Sequence, residues 1–299
     1  MSAAPLRIAT RGSELARWQA DRVAALLGVE VEIVVVSTTG DRRTDVPLSE
    51  LGGRGVFVKE VQQAVIDGRA DIAVHSAKDL PSAPELQPTG LVLAAFPERA
   101  DVRDALVGST LDALPPGALV GTGSPRRLAQ LAHARPDLTF AGLRGNIATR
   151  LARVGSVDAV VVAAAALDRL GRGNEASELL DVAQFVPQVG QGALAVECRD
   201  DDVRARSALA SIDDPSVRVA VEAERAFLAA LGGGCDLPVG AHATLDTDGV
   251  SLTGLIASPD GRVVLRRKAT GPDPALLGAA VAASLLDGAG AREMFSVVP

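Results

Sequence analysis

The sequence predicts an α/β protein with two doubly wound domains and a smaller α+β C-terminal domain built on an antiparallel sheet. Three observations predict it. Short β-branched runs alternate with segments of helical spacing through most of the 299 residues. Those runs are apolar at successive positions, as in strands buried on both faces of a parallel sheet. After the helical stretch VRVAVEAERAFLAAL, apolar and polar residues alternate around the turn signals DTDG and SPDG.

In chain order, LRIAT (6–10), VEIVVVST (31–38), DIAVHS (71–76) and LVLAAF (91–96) are strand-like, with SELARWQADRVAALL and VFVKEVQQAVIDG as helices between them. ALVGTG, TFAGLRG and DAVVVAAAAL repeat the arrangement, interleaved with helices that start near SPRRLAQLAHA and NIATRLARV. The alternating segment ATLDTDGVSLTGLIASPDGRVVLRRKATG forms the antiparallel sheet, closed by the helix ALLGAAVAASLLDG. The expected domains are 1–97, with 190–215 returning to it, then 98–189, then 216–299, which carries a cysteine loop. Ligands of doubly wound sheets bind at the carboxyl ends of strands, so a cleft there between domains is expected.

Composition narrows the function classes. The chain is 47% hydrophobic and 22% charged, an ordinary globular balance. Only 2% is aromatic, so base-stacking platforms have almost no material, and a net charge of −7 lacks the basic excess of a duplex-binding surface. Nucleic acid is not an expected partner. Nor is a membrane: the N-terminus has no apolar run of signal-peptide length, and AVVVAAAAL from Ala159 to Leu167 is too short to span a bilayer. A soluble cytoplasmic protein is expected. Cys198 and Cys235 lie far apart and offer neither a disulfide framework nor metal-ligand spacing, so no metal is expected.

Polar and basic residues collect where strands end. Arg11 and Ser13 follow the first strand, and His75, Ser76, Lys78 and Asp79 follow the third, with Pro81 stopping continuation. Thr122, Ser124, Arg126 and Arg127 surround the start of a helix whose first turn suits Pro125. Arg144, Asn146 and Arg150 repeat the device, and Arg169 ends another strand segment. Arginine gives bidentate, charge-assisted contacts to carboxylate or phosphate, so an acidic chain with this pattern points to a small polyanionic ligand. Taken singly, each basic residue also reads as solvated surface, Ser13 as a helix cap and His75 as structural.

The two cysteines differ. Cys198 lies in the strand-like ALAVECR and reads as a small core residue. Cys235, in LGGGCDLPVGAHA, follows three glycines and precedes turn-forming residues, which argues for a displayed free thiol. Two other motifs do not support a nucleotide-binding reading. VGQGALA has the spacing of a dinucleotide fingerprint but no leading strand, and GGRGVFVKE lacks the end of a phosphate loop.

IATRGSELARWQA, GGRGVFVKE, AVHSAKDLP, GTGSPRR, LRGNIATRL, VGQGALAVE and GGGCDLPVGAHA stand in the order found in the porphobilinogen deaminase (hydroxymethylbilane synthase) family, which the chain resembles along nearly its whole length. The resemblance implies two periplasmic-binding-protein-like domains and a transferase that joins four porphobilinogen molecules with loss of ammonia, giving hydroxymethylbilane for tetrapyrrole synthesis. It implies one covalent dipyrromethane cofactor per chain, bound as a thioether to Cys235. Lys78, Thr122, Ser124, Arg126, Arg127, Arg144, Asn146 and Arg169 would bind that cofactor, and Arg11, Ser13, Arg144 and Arg150 the substrate. Asp79 would be the catalytic acid, passing a proton to the leaving amine and then facing the resulting cation. A monomer is implied, and the stretch from Arg42 to Gly55 resembles the family's loop over the site. Arg54 stands in place of the usual lysine, and Gly123 in place of a common serine, removing one hydroxyl donor. The competing class is a non-catalytic two-lobed binder of small polyanions, which would need neither Cys235 nor Asp79.

Overall fold

The structure, a computed structural model, describes residues 4–42, 57–232, 238–247 and 249–292. Cys235 and all but the first residue of the Arg42 to Gly55 stretch, Arg54 included, lie outside the described residues. The chain divides into two units, Met1–Ala100 with Gly192–Arg218, and Asp101–Gln191 with Val219–Pro299.

The first segment runs β1 (Leu6–Arg11), α1 (Glu14–Leu27), β2 (Val31–Val36), α2 (Thr39–Arg42), α3 (Lys59–Ile66), β3 (Ile72–Ser76) and β4 (Leu91–Ala95). The second runs β5 (Asp104–Val107), β6 (Leu119–Gly121), α4 (Pro125–Ala134), β7 (Thr139–Ala141), α5 (Ile147–Leu151), β8 (Ala159–Ala163), α6 (Ala164–Arg169) and β9 (Glu178–Leu179). β10 (Leu194–Arg199) and α7 (Val203–Ala210) return to the first unit. α8 (Pro215–Ala230), β11 (Val239–Asp246), β12 (Gly249–Ala257), β13 (Val264–Gly271) and α9 (Pro274–Ala283) complete the chain.

Local chemistry sets the helix ends. The Ser13 hydroxyl accepts the Ala16 N–H at 3.4 Å to start α1, and Gly28, at φ 62°, supplies the left-handed residue that stops it. Ser124 caps α4 through the Arg127 N–H, with Pro125 in the first turn.

The two five-stranded sheets repeat one design. The first has the order β2-β1-β3-β10-β4, the second β7-β6-β8-β5-β9. In each, four strands run in one direction and one inserted strand runs against them: β10 between β3 and β4, and β5 between β8 and β9. The sequence pattern predicts purely parallel pairing here, and the sheets are mixed instead. The reason is physical: β5 and most of β10 are buried, and apolar content reports burial without reporting chain direction. β5 itself, only DALV, is too short to stand out in the sequence.

Both sheets are covered on two faces, as doubly wound sheets require. In the first unit Ile8, Ile72, Leu194 and Val196 pack with Val23 of α1 and Leu209 of α7, while Ala9 and Ala73 pack with Val61 and Val65 of α3. In the second, Leu106, Val120 and Val161 pack with Leu131 of α4, and Val160 and Val162 with Leu151 of α5 and Leu167 of α6.

The C-terminal sheet is the antiparallel β11-β12-β13 that the alternating pattern predicts. Val250, Leu252 and Ile256 of its inner face pack with Phe227 of α8 and with Leu277 and Val281 of α9. The helices meet closely at Gly278, where a Cβ would lie 2.5 Å from the Ala223 carbonyl oxygen. Phe227 is fully buried at this junction. Phe227→Ala should therefore lower stability by about 3–5 kcal/mol, read as a shifted urea midpoint with secondary structure retained in the absence of denaturant.

Candidate functional site

β1 and β3 pair directly, Ile8 opposite Ile72 and Ala9 opposite Ala73, so the loops leaving their carboxyl ends emerge side by side. Arg11, Gln19, Phe57, His75, Ser76 and Asp79 line a small pocket there. The Arg11 guanidinium lies 4.2 Å from the centre of the Phe57 ring, a cation–π contact that orients it. Lys78 and Asp79 sit on a single 3₁₀ turn, Ala77–Asp79, tied down by the Ala77 N–H donating to the Ala193 carbonyl at 3.0 Å. Asp79 is exposed, whereas His75 is buried. Behind His75, Glu197 of β10 receives the Gln62 amide at 3.1 and 3.0 Å on its two oxygens. Its Oε2 lies 3.0 Å from His75 Nε2, a short contact that is bent rather than aligned as a hydrogen bond.

The second unit gathers its residues by the same geometry. β6 pairs with β7 and β8, so the loops after all three strands open on one edge. Thr122 donates its backbone N–H to the Ala141 carbonyl at 2.9 Å, lacing the first loop to the second. Ser124 and Asn146 both act as helix caps, Asn146 accepting from the Thr149 N–H and hydroxyl at 2.9 Å each. Arg150 donates through Nε to the Gly145 carbonyl at 2.9 Å, and Arg169 is buried in the last turn of α6.

Asp104 is the residue that sequence reasoning missed here. β5 runs antiparallel to β8 with Asp104 opposite Ala163, so its amino end arrives where the parallel strands end. The carboxylate, 1% exposed, lies 2.8 Å from Arg126 Nη1 and 2.8 Å from Arg127 Nη2, and accepts Gln191 Nε2 at 2.9 Å. Arg127 spends its other donors on the protein, Nη1 on the Val161 carbonyl at 3.1 Å. Arg126 gives Nη1 also to the Val186 carbonyl at 2.8 Å, but its Nε and Nη2 are buried with no acceptor among the described residues, as is Arg144 Nη1. Buried guanidinium donors are nearly always satisfied, so these three N–H-bearing atoms stand out as donors that an anion could take.

Two expectations change. Gly123 does more than omit a hydroxyl, because a Cβ there would lie 2.3 Å from the Leu143 carbonyl oxygen, and the bare backbone lets the two loops approach. Gln191, from the dismissed VGQG motif, is fully buried and holds Asp104. Cys198 is fully buried, and burial pushes its thiol up to about 11, which fits an inert core residue. Among the described residues no cluster could hold a metal ion, and no helix is long and apolar enough to cross a membrane.

Residues 6–207 match the family described as porphobilinogen deaminase, dipyromethane cofactor binding domain, and residues 219–287 match porphobilinogen deaminase, C-terminal domain. The chain belongs to the porphobilinogen deaminase family. The porphobilinogen deaminase of Acidithiobacillus ferrooxidans is 49% identical over 291 residues, covering 94% of each chain. That of Brevibacillus brevis is 47% identical over 296 residues, covering 95% of each. That of Acidothermus cellulolyticus is 50% identical over 94% of this chain and 88% of its own.

The Asp104 cluster makes a prediction. Burial alone would raise the carboxyl, but Arg126 and Arg127, with hydrogen bonds from Arg126 and Gln191, hold it well below the usual carboxylate range. A group lowered in this way stabilises the fold fully above its unfolded value, 3.8, and that contribution is lost as pH falls from there toward the folded value. Asp104→Asn should cost about 3–5 kcal/mol at neutral pH, because two buried cations lose their counter-charge. The gap between parent and variant, measured by urea unfolding, should narrow as pH falls below about 4.

Proposed function

We propose that this protein is a hydroxymethylbilane synthase that joins four porphobilinogen molecules head to tail, releasing ammonia at each addition, on a dipyrromethane bound as a thioether to Cys235. The carrying observation is the set of buried, acceptor-free guanidinium donors on Arg126 and Arg144 in a chain of this family. They fit the group chemically, since acetate and propionate side chains on its pyrrole rings present carboxylates to such donors. When bound, the dipyrromethane supplies the nucleophilic pyrrole end to which units are added.

The chain's own residues do the rest in this reading. Arg126 and Arg144 hold carboxylates, with Thr122, Ser124, Arg127, Asn146, Arg169 and Lys78 completing the cofactor contacts and Arg11, Ser13 and Arg150 those to substrate. Arg127 serves mainly through Asp104, which it shares with Arg126. Asp79, exposed at the end of its turn beside Arg11, gives its carboxyl proton to the amine nitrogen as the C–N bond breaks, and its carboxylate then faces the cationic carbon left on the substrate. The finer attributes belong to the same proposal: a cytoplasmic monomer, with domains 1–97 plus 190–215, 98–189 and 216–299. A non-catalytic anion binder would need neither a thiol at 235 nor an acid at 79.

Cys235→Ala should yield folded protein without the dipyrromethane mass and without activity, whereas Cys198→Ala keeps both. Intact-mass spectra decide it, and a normal cofactor mass on the Cys235 variant would refute the attachment site.

Asp79 separates binding from chemistry. Asp79→Asn keeps size and hydrogen bonding but loses the proton and the charge, so single-turnover ammonia release should fall by about 10²- to 10⁴-fold while substrate capture survives. Asp79→Glu should fall between the two. Release near the parent rate in the Asn variant would place the acid elsewhere.

A further inference from the structure

We propose that His75 is a second substrate contact beside Asp79: Glu197 and Gln62 hold its imidazole as the Nε2–H tautomer, leaving Nδ1 as an acceptor on the pocket wall for the aminomethyl nitrogen of porphobilinogen. The proposal deepens the functional reading above and rests on it.

Three elements converge on this arrangement. His75 is on β3, Glu197 on β10 and Gln62 on α3, and β10 lies antiparallel to β3 with Ala195 opposite His75. Glu197 is 5% exposed and His75 5%, so the carboxylate is a buried charge that must be met by donors. Gln62 Nε2 provides one, reaching both oxygens. The other polar group against it is His75 Nε2, 3.0 Å from Oε2. A neutral imidazole facing a carboxylate carries its proton on the nitrogen that faces it, and the second nitrogen is then a lone-pair acceptor. The ring also lines the pocket formed with Arg11 and Asp79. Arg11 and Asp79 line the pocket with it and Glu197 lies against it, and neither a guanidinium nor a carboxylate oxygen duplicates a neutral acceptor.

Packing alone does not call for this set. A buried polar trio contributes little over an apolar one of the same volume, yet this trio stands directly behind a pocket wall. The bent His75–Glu197 contact is compatible with this role, since hydrogen bonds in active sites are often poorly aligned until substrate is in place. Substrate N–H groups would then meet an acceptor on one side and the Asp79 carboxyl on the other, placing the leaving amine for proton transfer. Glu197 acts through the ring and is a positioning residue.

The chain has three histidines, so nitrogen-15 spectra of the labelled protein resolve the His75 ring without ambiguity once a His75→Gln sample removes its signal. The expected parent spectrum has Nε2 protonated and Nδ1 bare at pH 8, and Glu197→Gln shifts the ring to a mixture of tautomers. In cofactor-loaded enzyme, His75→Leu should slow single-turnover ammonia release by roughly 10- to 100-fold, and His75→Gln, whose amide oxygen is an acceptor, should recover part of that loss. A parent ring protonated at Nδ1, a Glu197→Gln ring identical to the parent's, or parent-rate release from folded, loaded His75→Leu would each overturn the proposal. If His75→Leu does not fold, the parent tautomer still decides. Parent-rate release from Asp79→Asn would instead overturn the functional reading beneath it.

Discussion

Two arginines in the first turn of α4 are held by one carboxylate, and the architecture of the second unit follows from that constraint. A helix start is the wrong place for cations, since the helix dipole is positive there, and Arg126 and Arg127 are both buried. Asp104 makes the placement tolerable. It reaches them because β5 runs against its neighbours and brings its first residue to the edge where β6, β7 and β8 end. Gln191 completes the carboxylate's shell, and the Val161 carbonyl takes a donor from Arg127. What is left over, two buried donor atoms of Arg126 and one of Arg144, is positive potential without an acceptor among the described residues. Structural charge pairing thus takes up one side of this cluster, and the remaining donors of Arg126 are left over beside it.

The first unit uses the same device with different chemistry. β10 is its inserted antiparallel strand, and it carries a buried carboxylate within the sheet, Glu197 opposite Ala73 of β3, rather than at the edge where the parallel strands finish. Glu197 meets an imidazole and an amide there instead of two guanidinium groups. Where Asp104 steadies permanent cations, Glu197 steadies a ring whose two nitrogens can exchange roles. Each inserted strand thus carries one buried acid, Asp104 at the strand-end edge and Glu197 inside the sheet, and each acid meets a different partner.

Much of this was legible in the chain. Cap and turn residues such as Ser13, Ser124, Pro125 and Gly28 act within a few residues of themselves, so α1 and α4 begin where the sequence places their starts. Parallel strands put their carboxyl ends together, so Arg11 with Asp79, and Ser124 with Arg144, could be grouped by their positions after strands alone. Asp104, Glu197 and Gln62 could not. Each lies in an otherwise ordinary apolar or helical run, and its importance depends on strand direction, which composition does not encode. Gly123 was visible only as a missing hydroxyl; that its lack of a side chain admits the Leu143 carbonyl is a fact of approach between loops.

By itself the sequence determined the alternation of strands and helices, the family and the residues that line the strand ends, because these rest on local periodicity and on chemistry repeated at short spacing. Tertiary structure alone decided which carboxylate faces which cation. Asp104 is 22 residues from Arg126 and 87 from Gln191, and Glu197 is 135 from Gln62. Pairing at such separations is set by the order and direction of strands in a sheet, and a buried charge takes its partner from whatever that order brings within about 3 Å.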